Sequence, residues 1–221
     1  MNFKMSNLTQ KFLFFFLFVF TANSQTSPNS ILINLQDAIN AVKNYHTSPK
    51  YVQDMEKIID DALLDLKQID IPKNAAFVFD IDETSLSNIK YEIEKNFGYD
   101  QASWDKWVEE AKAPAIKATK RFYDSLIKHN IHIIFITGRI TQQYDATVKN
   151  MQEVGYRKYD TIVCKSPMFK GKTAEEYKSQ IRKELSKKYK IIGSIGDQWS
   201  DLNGGWTILK VKLPNYMYFI E

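Results

Sequence analysis

The sequence predicts an α/β protein built on a doubly wound parallel sheet. Three observations carry this. Short apolar runs rich in β-branched and aromatic residues recur at 75–79, 131–136, 161–164, 190–195 and 206–211. Segments with apolar residues at helical spacing separate them, and strands alternating with helices imply parallel strands joined by right-handed crossovers. Three of the runs stop at polar groups: Asp80 and Asp82, Thr137, and Asp197 with Asp201. Parallel sheets gather ligands at the carboxyl ends of their strands, so these groups are expected to meet on one edge.

Taken in order, residues 1–24 have the make-up of a secretory signal. Lys4 and Lys11 give a positive start, FLFFFLFVF (12–20) an apolar core, and Ala22-Asn23-Ser24 a small-x-small cleavage site before Gln25. The apolar run has nine residues, whereas a spanning helix needs about 20. A secreted or periplasmic location without stable membrane insertion is therefore expected, and an N-terminal anchor is the lesser reading. The remaining 25–221 are expected to form one domain, with its core at 75–212.

A polar linker (25–30) precedes two amphipathic helices. The first carries Ile31, Leu35, Ala38, Ile39 and Val42 on one face. The second, after Pro49, carries Val52, Met55, Ile59, Ala62, Leu63 and Leu66. His46 falls between them and is expected in a surface loop. After the first strand, 89–113 turns charged and aromatic, and a small helical insertion over the strand end is expected. Pro114 is expected to open a helix to about Lys128, and 142–154 the next, closed by Gly155. Thr173-Ala174-Glu175-Glu176 is a capping-box pattern opening a further helix. Its inward stripe, Ala174, Ile181 and Leu185, also contains Lys178, which in such a place needs a charged partner.

Composition narrows the functional classes. The 221 residues carry a formal charge of +4, which falls to +2 without Lys4 and Lys11. That is too mild for a nucleic-acid polymer or a membrane surface as partner. Cys164 is the single cysteine, which rules out an intramolecular disulfide; it is expected to be a small buried hydrophobe. The oligomeric state is not written in the sequence.

The chemistry centres on NAAFVFDIDETSLSN (74–88). Two carboxylates one residue apart repel each other unless a cation or a shared proton intervenes. Asp-x-Asp-x-Thr after a buried strand therefore suggests a Mg²⁺ site, although an acidic solvated turn would give the same pair. The ordered set DIDET, ITGR, Lys178 and GDQWSD resembles the haloacid dehalogenase superfamily of phosphohydrolases. DIDETSLSN, YKSQIR, IIGSIGDQWSDL and the ending KLPNYMYFI are similar to its acid phosphatase branch, which includes plant vegetative storage proteins and bacterial secreted (class B-like) acid phosphatases. The likeness runs from about Tyr51 to the C-terminus.

The resemblance implies a phosphomonoester hydrolase acting on small molecules. It gives Asp80 as the nucleophile and Asp82 as general acid and then base. Thr137, with Gly138 beside it, and Lys178 would hold phosphoryl oxygens. Asp80, the backbone carbonyl of Asp82, and Asp197 would ligate Mg²⁺, supported by Asp201. Lys172 competes with Lys178 for the lysine role. Trp104 and Trp107 either pack the insertion or border the site and stack on a leaving group such as a nucleoside. A storage or phosphate-ester-binding protein on the same fold is the alternative; the presence of Asp80 argues for activity.

Overall fold

The computed structural model describes residues 33–221; the 1–24 leader, the 25–30 linker and Ile31 lie outside the described residues. Two helices come first, α1 (Leu35–His46) and α2 (Pro49–Leu66). The Asn34 side chain caps α1, and Ser48 with Pro49 at the first turn starts α2. α2 buries Met55, Ile59, Ala62 and Leu66, while Val52 from the expected stripe stays exposed. His46 departs from the surface reading. It is the last residue of α1 and buried, enclosed by the rings of Tyr45, Tyr51 and Tyr216. Its Nε2 accepts the Tyr216 N–H at 3.2 Å.

Five parallel strands among the described residues form the sheet: β1 (Ala75–Phe79), β2 (His132–Ile140), β3 (Thr161–Lys165), β4 (Lys190–Gly196) and β5 (Leu209–Lys212), in the order β3-β2-β1-β4-β5. This is the doubly wound α/β class that the alternation of strands and helices predicts. α3 (Ile89–Glu94), α4 (Gln101–Glu110) and α5 (Lys117–Lys128) follow β1; α6 (Tyr144–Glu153) joins β2 to β3 and α7 (Ala174–Leu185) joins β3 to β4. The alternation along β1 shows why both faces are covered. Phe77 and Phe79 pack with Phe122 and Phe135 on one face; Ala76 and Val78 pack with Ile134, Phe169 and Tyr177 on the other. Burying each phenylalanine contributes about 1.5–3 kcal/mol. β1 is central, and the chain reverses its direction of travel across the sheet between β1 and β4. Ligands of doubly wound sheets bind at that switch point.

Three boundaries differ from expectation, for local reasons. β5 runs Leu209–Lys212 rather than 206–211, because Trp206 takes a left-handed backbone, φ +61°, that no strand residue adopts. α5 starts at Lys117 rather than Pro114 because 114–116 stay extended against the loop after β1. Ser87 N–H donates to Pro114 O, Ile116 N–H donates to Ser85 O, and Leu86 bridges Ala115. β2 continues past Ile136 through Thr137-Gly138-Arg139, its pairing with β3 shifting between Ile136 and Ile140. No helix among the described residues is long and apolar enough to cross a membrane.

Candidate active site

Asp80 is the first residue beyond β1, its N–H donating to Ile195 O of β4. The chain then turns tightly: the N–H groups of Ser85 and Leu86 both donate to Ile81 O at 2.8 Å, and Ser85 Oγ donates to Asp80 O at 2.7 Å. Glu83 occupies the left-handed region, φ +53°, at a cost of about 1–2 kcal/mol for a residue with a Cβ. Its side chain holds it there. Glu83 is buried and accepts from Asn88 N–H at 2.6 Å, Asn88 Nδ2 at 2.8 Å and Tyr218 O–H at 3.1 Å.

Lys178 reaches this loop from α7, whose Thr173–Glu176 capping box is formed in both directions. Its ammonium donates to Asp80 Oδ1 at 2.6 Å and to the Asp201 carboxylate. Burial works against its charge, but Asp201 and Asp80 outweigh that and hold its pKa above the usual lysine value. Lys172 lies elsewhere, exposed, with Nζ on Gln180 Oε1 at 3.2 Å.

Asp197 and Asp201 follow β4. Gly196 permits their placement, because a Cβ there would overlap the Asp201 side chain. Asp201 Oδ2 accepts Gln198 N–H at 2.9 Å. Asp197 accepts from Thr84 Oγ1 at 3.1 Å and, at 2.7 Å each, from Gln198 Nε2 and Asn215 Nδ2. Asp80, Asp197 and Asp201, all buried, each offer an oxygen, and these atoms lie within 4.8 Å of one another. Burial, chiefly, and then Asp201 push the Asp197 carboxyl up to about 6. Burial also raises Asp80 well above the carboxylate range; Lys178 opposes this, and Asp201, Asp197 and Asp82 add to it. Such a cluster is under electrostatic stress that a hard divalent cation relieves, and its donors are all oxygens. Ser200 Oγ, buried at the cleft wall, has no hydrogen-bond partner among the described residues, as expected of a group placed for a ligand. The residues fit a hard divalent cation.

Asp82 stands apart from that cluster, held by a residue whose role the sequence did not show. Arg139, 3% exposed, donates Nε to both Asp82 oxygens (3.1 and 3.0 Å) and Nη2 to Oδ1 at 2.7 Å. Its Nη1 donates to Thr147 Oγ1 at 3.1 Å. Asn88 Nδ2 also donates to Asp82 Oδ1, at 2.9 Å. Thr137 is fully buried, its hydroxyl accepting Arg139 N–H at 3.1 Å, while Gly138 next to it is exposed on the cleft wall. Arg182 is a second unanticipated residue. From α7 it donates to the backbone carbonyls of Asp201, Asn203 and Gly205, which clamps the acidic loop to the lysine helix. The only sequence sign of either arginine was its place inside a motif, ITGR or YKSQIR.

These groups open into a cleft of about 860 Å³, whose walls include Asp80, Asp82, Gly138, Arg139, Lys178 and Asp197. The two tryptophans divide. Trp107 points inward, its Nε1 donating to Asn88 Oδ1 at 2.8 Å and its ring packed near Tyr91. Trp104 lines the cleft, with the Arg139 guanidinium 5.8 Å from its ring centre and Tyr91 against it edge-on.

The topology and the converging strand ends define a phosphohydrolase fold of the haloacid dehalogenase type, and comparison with known proteins narrows it. A family model described as "HAD superfamily, subfamily IIIB (Acid phosphatase)" matches residues 20–221. The chain belongs to this family of acid phosphatases, which are phosphomonoester hydrolases. It is 32% identical over 192 residues to "Acid phosphatase 1" of Solanum lycopersicum, covering 84% of this chain and 75% of that protein. It is 32% identical over 182 residues to "Vegetative storage protein 1" of Arabidopsis thaliana, covering 79% and 67%. The crystal structure of a Class C acid phosphatase from Bacillus anthracis with tungstate bound superposes with a TM-score of 0.72 at 24% identity, covering 85% of this chain and 87% of that one. That likeness speaks for the fold.

Proposed function

We propose that the chain is an exported, Mg²⁺-dependent acid phosphatase that hydrolyses phosphomonoesters through an aspartyl-phosphate on Asp80. The observation that carries this reading is the Lys178 ammonium bound between Asp80 and Asp201 at the switch point of the sheet. An Asp80 carboxylate oxygen attacks phosphorus, and the bond to the leaving oxygen breaks as Asp82 donates its proton to that oxygen. Asp82 then takes a proton from water, whose oxygen attacks phosphorus and releases phosphate and the free Asp80 carboxylate. The Thr137 hydroxyl, the Gly138 N–H and Lys178 hold the phosphoryl oxygens. Asp80, Asp197 and the Asp82 carbonyl, supported by Asp201, would hold Mg²⁺, which when bound neutralises charge on the phosphoryl group. Arg139 holds Asp82 beside the leaving oxygen.

The cleft is open enough to admit varied esters. Trp104 on its wall supports a preference for aryl phosphates and nucleoside monophosphates, whereas Trp107 serves packing. Residues 1–24 direct export to a secreted or periplasmic location; N-terminal sequencing of mature protein beginning at Gln25 tests that. The storage-protein names of two relatives favour a second reading, a weak or inactive phosphate-ester binder. Phosphate release from p-nitrophenyl phosphate at acidic pH, with and without Mg²⁺, separates the two. Metal-dependent turnover lost in Asp80→Asn supports the enzyme; binding without turnover supports the alternative.

A further inference from the structure

Glu92, on α3 of the insertion, lines the same cleft as Asp80 and Asp82 yet has no part in the scheme above. It is 7% exposed, and no side chain or backbone group among the described residues hydrogen-bonds or ion-pairs with its carboxyl. Its oxygens open onto the cleft, where a carboxyl with no partner in the described chain is placed to meet a bound ligand. Burial, then the charge of Asp82, push it up to about 7.

Two of the four cations that line the cleft are committed to the catalytic carboxylates. Arg139 is occupied by Asp82 and Thr147, and Lys178 by Asp80 and Asp201. The insertion that carries Glu92 is otherwise aromatic and neutral where it lines the cleft, with Phe97, Tyr99, Gln101 and Trp104; Lys165 and Lys170 line it from the end of β3 and the loop beyond, and neither ion-pairs with Glu92. A carboxylate among aromatic rings is the chemistry that receives an ammonium group. Glu92 N–H donates to Asn88 O at 3.0 Å, and Asn88 Nδ2 donates to Asp82 Oδ1 at 2.9 Å, so α3 starts beside the group that protonates the leaving oxygen and Glu92 lies on the leaving-group side.

We infer that Glu92 is a specificity-determining residue that selects phosphomonoesters whose leaving group carries a cationic amine. This rests on the phosphatase reading, because it assigns the leaving-group side from the role of Asp82.

The test compares 2-aminoethyl and 4-aminobutyl phosphate with ethyl and butyl phosphate, the uncharged chains of equal length. Phosphate release is followed from about pH 5 to about pH 8, a range over which the carboxyl ionises, with p-nitrophenyl phosphate as reference. In the wild type, at least one amine ester is expected to exceed its alkyl partner in kcat/KM by about tenfold, the scale of one charge-assisted hydrogen bond. That ratio should fall to about one in Glu92→Gln, which keeps the shape and removes the charge. Glu92→Asp should restore part of it, most for the longer amine. No preference in the wild type, or one that persists in Glu92→Gln, overturns the assignment and leaves the phosphatase reading standing as long as p-nitrophenyl phosphate is cleaved. Failure to cleave p-nitrophenyl phosphate at all overturns both.

Discussion

Asp80 illustrates how far a single side chain is governed by its neighbours. Burial and three carboxylates drive it toward the neutral acid, and only the Lys178 ammonium opposes them. The amide of Asp80→Asn preserves shape and removes the attacking charge, so turnover is expected to fall at least about a thousandfold with the fold retained. Circular dichroism and phosphate release check this; residual activity of a few per cent would remove Asp80 from the role. Arg139→Lys is the second substitution of interest. Lysine cannot reproduce the forked contact with both Asp82 oxygens and the bond to Thr147. Activity should drop about ten- to a hundredfold, more for alkyl than for aryl esters, because only poor leaving groups need the acid. An equal loss across esters would show that Arg139 does not act through Asp82. The motif letters made Asp80, Asp82, Asp197 and Asp201 legible as candidates. Pairings were not legible, since Arg139 meets Asp82 across 57 positions and Tyr218 meets Glu83 across 135. Only the fold sets such distances.

At the scale of elements, the strands were readable because their apolar runs are short and end at turn chemistry. The ends of helices were less so. Pro114 is a good helix opener, yet pairing with the 85–87 loop holds that stretch extended. The C-terminal segment carried no periodicity at all, but it straps the site. Tyr218 O–H donates to Glu83, Ile220 N–H donates to Gln198 Oε1 at 3.2 Å, and Asn215 donates to Asp197. Its other anchor is His46, whose Nε2 must be unprotonated to accept the Tyr216 N–H. Burial lowers this histidine from 6.5 to about 4. A folded value below the unfolded one means that the stabilisation is fully present above about pH 6.5 and is lost as pH falls toward 4. His46→Gln offers an acceptor that does not titrate, so its melting temperature should fall less than that of wild type between pH 6.5 and 4.5. Parallel melting curves would dismiss the idea. In the insertion, Trp107→Phe leaves Asn88 Oδ1 without its donor and should destabilise by about 1–3 kcal/mol. Trp104→Phe should act on substrate preference instead, read as the kcat/KM ratio of a nucleoside monophosphate to glycerol phosphate.

Across the whole molecule, the topology does the work that no local segment can. Strand order β3-β2-β1-β4-β5 puts the loops after β1 and β4 side by side, and α7, crossing between β3 and β4, brings Lys178 to both. The resulting carboxylate cluster links metal binding to global stability. Asp197, folded, is pushed up to about 6 from a usual 3.8. A raised carboxyl favours the folded state below its unfolded value, and that contribution fades as pH rises through the folded one, so the metal-free protein loses this stability between about pH 4 and 6. A divalent cation binds the ionised cluster and competes with protons for it. Mg²⁺ at about a hundred times its dissociation constant should therefore add about 2.7 kcal/mol, or about 5–10 °C in Tm for a chain of this size. The gain should be larger at about pH 7 than at about pH 5, where protons already relieve the repulsion. Asp197→Asn should abolish it at both. Thermal melts of chelated protein, with Mg²⁺ returned at each pH, measure the effect without any substrate. A Tm indifferent to Mg²⁺ at neutral pH would show that the three carboxylates do not hold the ion. A gain that survives Asp197→Asn would place the ion elsewhere in the molecule.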